Sequence, residues 1–92
     1  IILLPNRSRL IGNFPNPFNS ETVINYDLSL GSELSFQVYD LSGAMLIDRD
    51  LGFRRSGKHS LKFSGDKLSS GIYYYRIKSV GFEQTNRMIL LK

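Results

Sequence analysis

The sequence predicts an all-β fold, an immunoglobulin-like antiparallel β-sandwich of about seven strands. Three observations lead to it. Short runs in which apolar and polar residues alternate recur along the chain, and they are rich in Val, Ile, Phe and Tyr. Clusters of Gly, Ser, Asn and Asp interrupt these runs roughly every 8–12 residues, the spacing of strand–turn–strand architecture. No window carries apolar residues at i, i+3, i+4 and i+7 between helix caps. With 92 residues there is room for one core, burying roughly 60–65% of the unfolded surface.

Ile1 to Gly12 reads as a linker or edge segment, and 13–92 as the sandwich. The chain lacks an initiator Met and a recognisable leader, so it reads as a piece of something longer. Phe14-Pro15-Asn16-Pro17-Phe18-Asn19 is the densest local signal. Each proline fixes its own φ and restricts the residue before it, giving a stiff turn flanked by aromatics. Its expected role is to plug one end of the sandwich with Phe14 or Phe18.

Thr22, Ile24, Tyr26 and Leu28 then alternate with polar neighbours, Val23 excepted, as in a half-buried strand. Leu34, Phe36 and Val38 repeat the pattern. Asp40-Leu41-Ser42-Gly43 places Asp first and Gly fourth, which suits a type I turn. Ala44 to Leu51 carries Asp48, Arg49 and Asp50 in succession and reads as a solvent-facing edge strand. His59, Leu61 and Phe63 make the next strand, with His59 read as a surface or rim residue, and Leu68 is expected to tuck in from the following loop. In Gly71–Val80, strict alternation puts Tyr73, Tyr75 and Ile77 in the core and Tyr74, Arg76 and Lys78 outside. The same argument turns Met88 and Leu90 inward and leaves Ile89 and Leu91 on the opposite face, with Lys92 at the rim.

Composition excludes several functions. Twelve Lys and Arg against eight Asp and Glu give a net charge of +4, but the basic residues are scattered along strands, not gathered into the stripe that phosphate binding needs. Nucleic acid is therefore not an expected partner. No apolar run approaches the roughly 20 residues of a membrane-spanning helix. Without cysteine there is neither a disulfide framework nor a thiolate metal site. His59 is the sole histidine and has no carboxylate or nucleophile near it in sequence, so no catalytic residues, metal ligands or cofactor are assigned. An outward Tyr74 leaves open a carbohydrate contact, as in accessory modules of secreted enzymes or adhesins.

Five segments together resemble a known family. Asn13-Phe14-Pro15-Asn16-Pro17-Phe18-Asn19 is similar to the aromatic-Pro-Asn-Pro-Phe signature of the type A C-terminal sorting domains of the type IX secretion system. Val38-Tyr39-Asp40-Leu41-Ser42-Gly43, Phe63-Ser64-Gly65, Leu68-Ser69-Ser70-Gly71-Ile72-Tyr73 and Arg87-Met88-Ile89-Leu90-Leu91-Lys92 follow in the family's order. Two departures stand out: Ala44 where an Arg usually follows the turn glycine, and Phe63 where Trp is common. The sandwich also resembles the immunoglobulin-like domain of flagellar hook-capping proteins, which would make it a plain structural module.

The sorting-domain resemblance implies a non-catalytic address at the end of a larger secreted cargo protein. The domain would fold in the periplasm as a seven-stranded sandwich and direct the cargo through an outer-membrane translocon with its shuttle components to the cell surface or medium, often with removal by a surface sortase. It further implies that Gly71, Tyr73, Met88, Ile89, Leu90, Leu91 and Lys92 carry the sorting signal. Phe14, Pro15, Asn16, Pro17, Phe18, Asp40 and Gly43 belong to the family's structural motif.

Overall fold

The computed structural model describes residues 8–92. The apolar run Ile1–Leu4 with Pro5, read above as part of a linker or edge segment, lies outside them. Seven strands follow in order: β1 Arg9–Phe14, β2 Glu21–Leu28, β3 Ser32–Tyr39, β4 Met45–Arg54, β5 Gly57–Ser64, β6 Gly71–Ser79 and β7 Phe82–Leu90. They form two sheets, one ordered β1-β2-β5 and the other β4-β3-β6-β7, with every strand pair antiparallel. Among the described residues there is no helix, and so none long and apolar enough to cross a membrane.

Alternation decides which side chains fill the space between the sheets. Ile24, Tyr26 and Leu28 of β2 face Leu34, Phe36 and Val38 of β3, Tyr73, Tyr75 and Ile77 of β6, and Met88 and Leu90 of β7; all are buried. Phe63 stands in the core as the sequence requires, and Leu68 packs against it from the loop. Phe18, Phe63, Phe36 and Tyr75 form a chain of ring contacts with centroids 6.3, 5.7 and 6.4 Å apart. Tilted and edge-on aromatic pairs of this kind add about 0.5–1.5 kcal/mol each beyond their burial. The Tyr75 hydroxyl donates to Asn13 Oδ1 at 3.0 Å and so joins the two sheets. Burial pushes that phenol's pKa up.

The elements match the periodicity with small shifts. The fourth strand runs on to Arg54, past the expected Leu51, because it stays paired to β3 as far as Ser32. Within the segment read as a linker or edge segment, Arg9–Gly12 opens β1, an edge strand that pairs with β2 and buries Leu10. The outer face of the larger sheet carries one polar rung. Gln37 is 6% exposed, and its amide donates to Ser35 Oγ and Asp48 Oδ1 and accepts from Arg76 Nε. Arg76 also reaches Glu83 and the Tyr39 hydroxyl. Every hydrogen-bonding group of Gln37 is thus occupied, which is what allows an amide to be buried there.

The sandwich is elongated, 50 × 23 × 20 Å. Register places the ends of β1, β3, β5 and β7 at one pole and their beginnings at the other. The chain enters β1 at one pole and leaves β7 at the opposite one.

Candidate functional site

The exit pole gathers most of the residues singled out from sequence. β6 and β7 are paired throughout, so Gly71 lies opposite Leu90, Ile72 opposite Ile89 and Tyr73 opposite Met88. Residues that pair across strands share a face. Met88 and Leu90 are fully buried, and Tyr73 beside them is buried with its hydroxyl donating to the Ser69 carbonyl at 2.6 Å. On the outer face lie half-buried Ile72 and Ile89, with Tyr74 and Arg87 exposed. Leu91 is 56% exposed.

β7 is an outer strand of its sheet, so among the described residues the backbone groups on its free side have no strand of the sheet beside them. The Pro-Asn-Pro-Phe segment supplies partners instead. The Asn16 side chain accepts from Ile89 N at 2.9 Å and donates to the Arg87 carbonyl at 3.3 Å. Phe18 continues the pattern with its main chain: its N–H donates to the Ile89 carbonyl and its carbonyl accepts from Leu91 N, both at 2.9 Å. One side-chain amide and one residue of backbone thus stand in for a neighbouring strand, as an isolated parallel bridge between Phe18 and Leu90.

The segment is itself anchored. The Pro15 carbonyl accepts from the buried Thr22 hydroxyl at 2.8 Å and from Asn13 Nδ2 at 3.3 Å. Phe18 is buried in the core, contributing about 1.5–3 kcal/mol by its removal from water. The expected plug is therefore Phe18 and not Phe14, which is 78% exposed. Both prolyl bonds are cis. Beneath the clasp, Gly65 donates to the Ser20 carbonyl at 2.8 Å. A Cβ there would meet Leu90 Cδ2 at 2.9 Å and Phe18 at 3.2 Å, so the glycine allows these parts to close on one another.

The last residue is tied back as well. Lys92 N donates to Ser70 Oγ at 2.8 Å, and its ammonium donates to the Asp66 carbonyl at 2.7 Å. Lys92 is exposed but held against the loop that precedes β6. The Asp40–Gly43 turn lies at the same pole but on the far side of β6 from β7, closing β3 to β4. Gly43 has φ +90, which a glycine adopts readily, and Gly43 N donates to the Asp40 carbonyl. The Asp40 carboxylate accepts from Ser42 Oγ and from the amides of Ser42 and Ala44. The Ser42 hydroxyl, followed by the Ala44 amide, holds its pKa below the usual carboxylate value.

Sequence reasoning did not find the parts played by four residues: the side chain of Asn16, the receiving groups at Asp66 and Ser70, and Gly65 as the site of close approach. All act across long separations; Asn16, Gly65 and Ser70 lie in the family-like segments, but nothing in those segments names their partners. Tyr74 stands on the open outer face. The groove on that face, of about 630 Å3, lies towards the other pole and is lined by Glu33, Gln37, Asp48, Asp50, Lys78 and Val80. Among the described residues no group of three or more His, Cys, Asp or Glu side chains is arranged to hold a metal ion.

Comparison with curated proteins and with solved structures returns no match. A family model described as "Secretion system C-terminal sorting domain" matches residues 13–91, from the start of the Pro-Asn-Pro-Phe segment to Leu91. This chain belongs to the type IX secretion system C-terminal sorting domain family.

Proposed function

We propose that the domain is a non-catalytic address that carries an upstream cargo protein through an outer-membrane type IX translocon. In this reading the exit pole is the part that is recognised, with Gly71 and Tyr73 supporting Met88 to Lys92. The observation that carries it is the clasp: Asn16 and Phe18 join the family's first motif to its last, and Lys92 is pinned beside them. Leu91 is left exposed at that point. The described chain enters β1 at the opposite pole, about one sandwich length from the signal.

Within this function the parts divide. Met88, Leu90 and Tyr73 are core residues that fix β7. Ile89, Leu91 and Lys92 are the side chains a partner meets. The domain travels through the periplasm attached to its cargo, meets the translocon and its shuttle components, and is then removed by a surface sortase, leaving the cargo at the cell surface or in the medium.

Because Leu90 is fully buried, deleting Leu90–Lys92 would damage the core together with the signal. The informative deletion is Leu91–Lys92. A reporter fused ahead of residues 1–92 is expected to be secreted by a host carrying the system. The two-residue deletion is expected to leave the domain folded and the reporter inside the cell. Secretion of the deleted fusion at the level of the unaltered one would exclude the terminal pair as the signal.

A further inference from the structure

The clasp holds the terminal strand in an unusual way. A strand edge is ordinarily satisfied by a second strand, by water, or by a covering element. Here the Arg87 carbonyl and the Ile89 N–H are met by one side chain, Asn16, which supplies both a donor and an acceptor from the same amide. The amide is the chemical group of a peptide unit, so it reproduces the pairing of one strand residue. Phe18 then pairs with Ile89 and Leu91. Since the Phe18 ring lies in the core among Phe63 and Leu90, the segment is not free to drift away from β7.

We propose that Asn16 is a positioning residue for the sorting signal, so that Leu91 and Lys92 are presented in one extended geometry only when the Pro-Asn-Pro-Phe segment is seated. The address is then composite, assembled by folding from the two ends of the domain. A chain whose segment has not docked carries the same terminal residues but does not present them. With the terminal half of the β7 edge occupied, the partner reads side chains at the end of the strand and not its backbone edge. This rests on reading Leu91 and Lys92 as the signal.

The test uses Asn16→Ala, which removes both bonds, and Asn16→Asp, which keeps the acceptor for Ile89 N and loses the donor to Arg87. Asn25→Ala is the control; it removes an exposed side-chain bond to Ser60 in the other sheet. Amide exchange at Ile89 and Leu91 is measured in the 92-residue chain, and secretion of the reporter fusion in the host. Asn16→Ala is expected to speed exchange at Ile89 at least tenfold and to lower secretion at least fivefold while the domain stays folded. Asn16→Asp should fall between it and the unaltered chain, and Asn25→Ala should match the unaltered chain in both.

Normal secretion of Asn16→Ala despite faster exchange would overturn the proposal and leave the terminal signal intact. Unchanged exchange at Ile89 would overturn the clasp itself. Retention of the unaltered fusion would overturn the sorting reading, and this proposal with it.

Discussion

The four-stranded sheet has two edges, and they are managed in opposite ways. At β7 the edge is covered: Asn16 and Phe18 take up the free backbone groups of the strand's last turn of pairing. At β4, among the described residues, no strand pairs with the edge, and it is defended by its own residues. Two bulges interrupt its pairing with β3, and Gly52 adopts φ +73. Arg49 stands opposite core residue Phe36, with its guanidinium 5.8 Å from the ring, so a charge points to the inward side of the edge. Bulges and inward charges are the usual devices that stop one strand edge from pairing with another. On the proposed function, the contrast marks where a specific contact is wanted. β4 is built to repel strands, whereas β7 is held in place and offers the side chains beyond its end.

Changes at the covered edge should cost the most. Phe18→Ala removes the anchor of the clasp from a packed site and is expected to destabilise the domain by about 3–5 kcal/mol in chemical denaturation. Gly65→Ala comes next. Its Cβ would lie within 2.9 Å of Leu90 and 3.2 Å of Phe18, and overpacking of this sort costs about 1–3 kcal/mol. If the comparison is right, its loss of amide protection falls on Ile89 and Leu91 and not on β4.

Arg49→Val should change the stability of the monomer by less than about 1 kcal/mol, since an exposed cation–π contact is worth roughly 0.5–1 kcal/mol. It should instead promote self-association, measurable by sedimentation as concentration rises. The smallest expected effect lies at the hairpin turn. Asp40 has a pKa lowered in the folded state, so its stabilising effect is present above the unfolded carboxylate value and is lost as pH falls through the lower folded one. Asp40→Asn should flatten that acid limb in a pH series of unfolding midpoints.

Much of the fold was legible because strand alternation is local. Tyr73, Tyr75 and Ile77 are separated from Tyr74, Arg76 and Lys78 by period alone, and Met88 and Leu90 obey the same rule. The exposure of Leu91 followed from it too. Sheet order was not legible, because β2–β5 and β3–β6 pair across two intervening strands with nothing local to name the partner. The clasp was least legible of all: Asn16 meets β7 across 71 and 73 residues. The prolines marked a rigid segment, yet only the folded core decides that Phe18, not Phe14, is buried.

The most direct measurement is the secreted fraction of a reporter carrying this domain in three forms: unaltered, lacking Leu91–Lys92, and carrying Arg49→Val. Each form's folding is read from its thermal midpoint. The account predicts that the deletion leaves a folded domain and retains the reporter, while the β4 variant is secreted like the unaltered form. A folded, deleted domain that still exports its reporter at the unaltered level would contradict it.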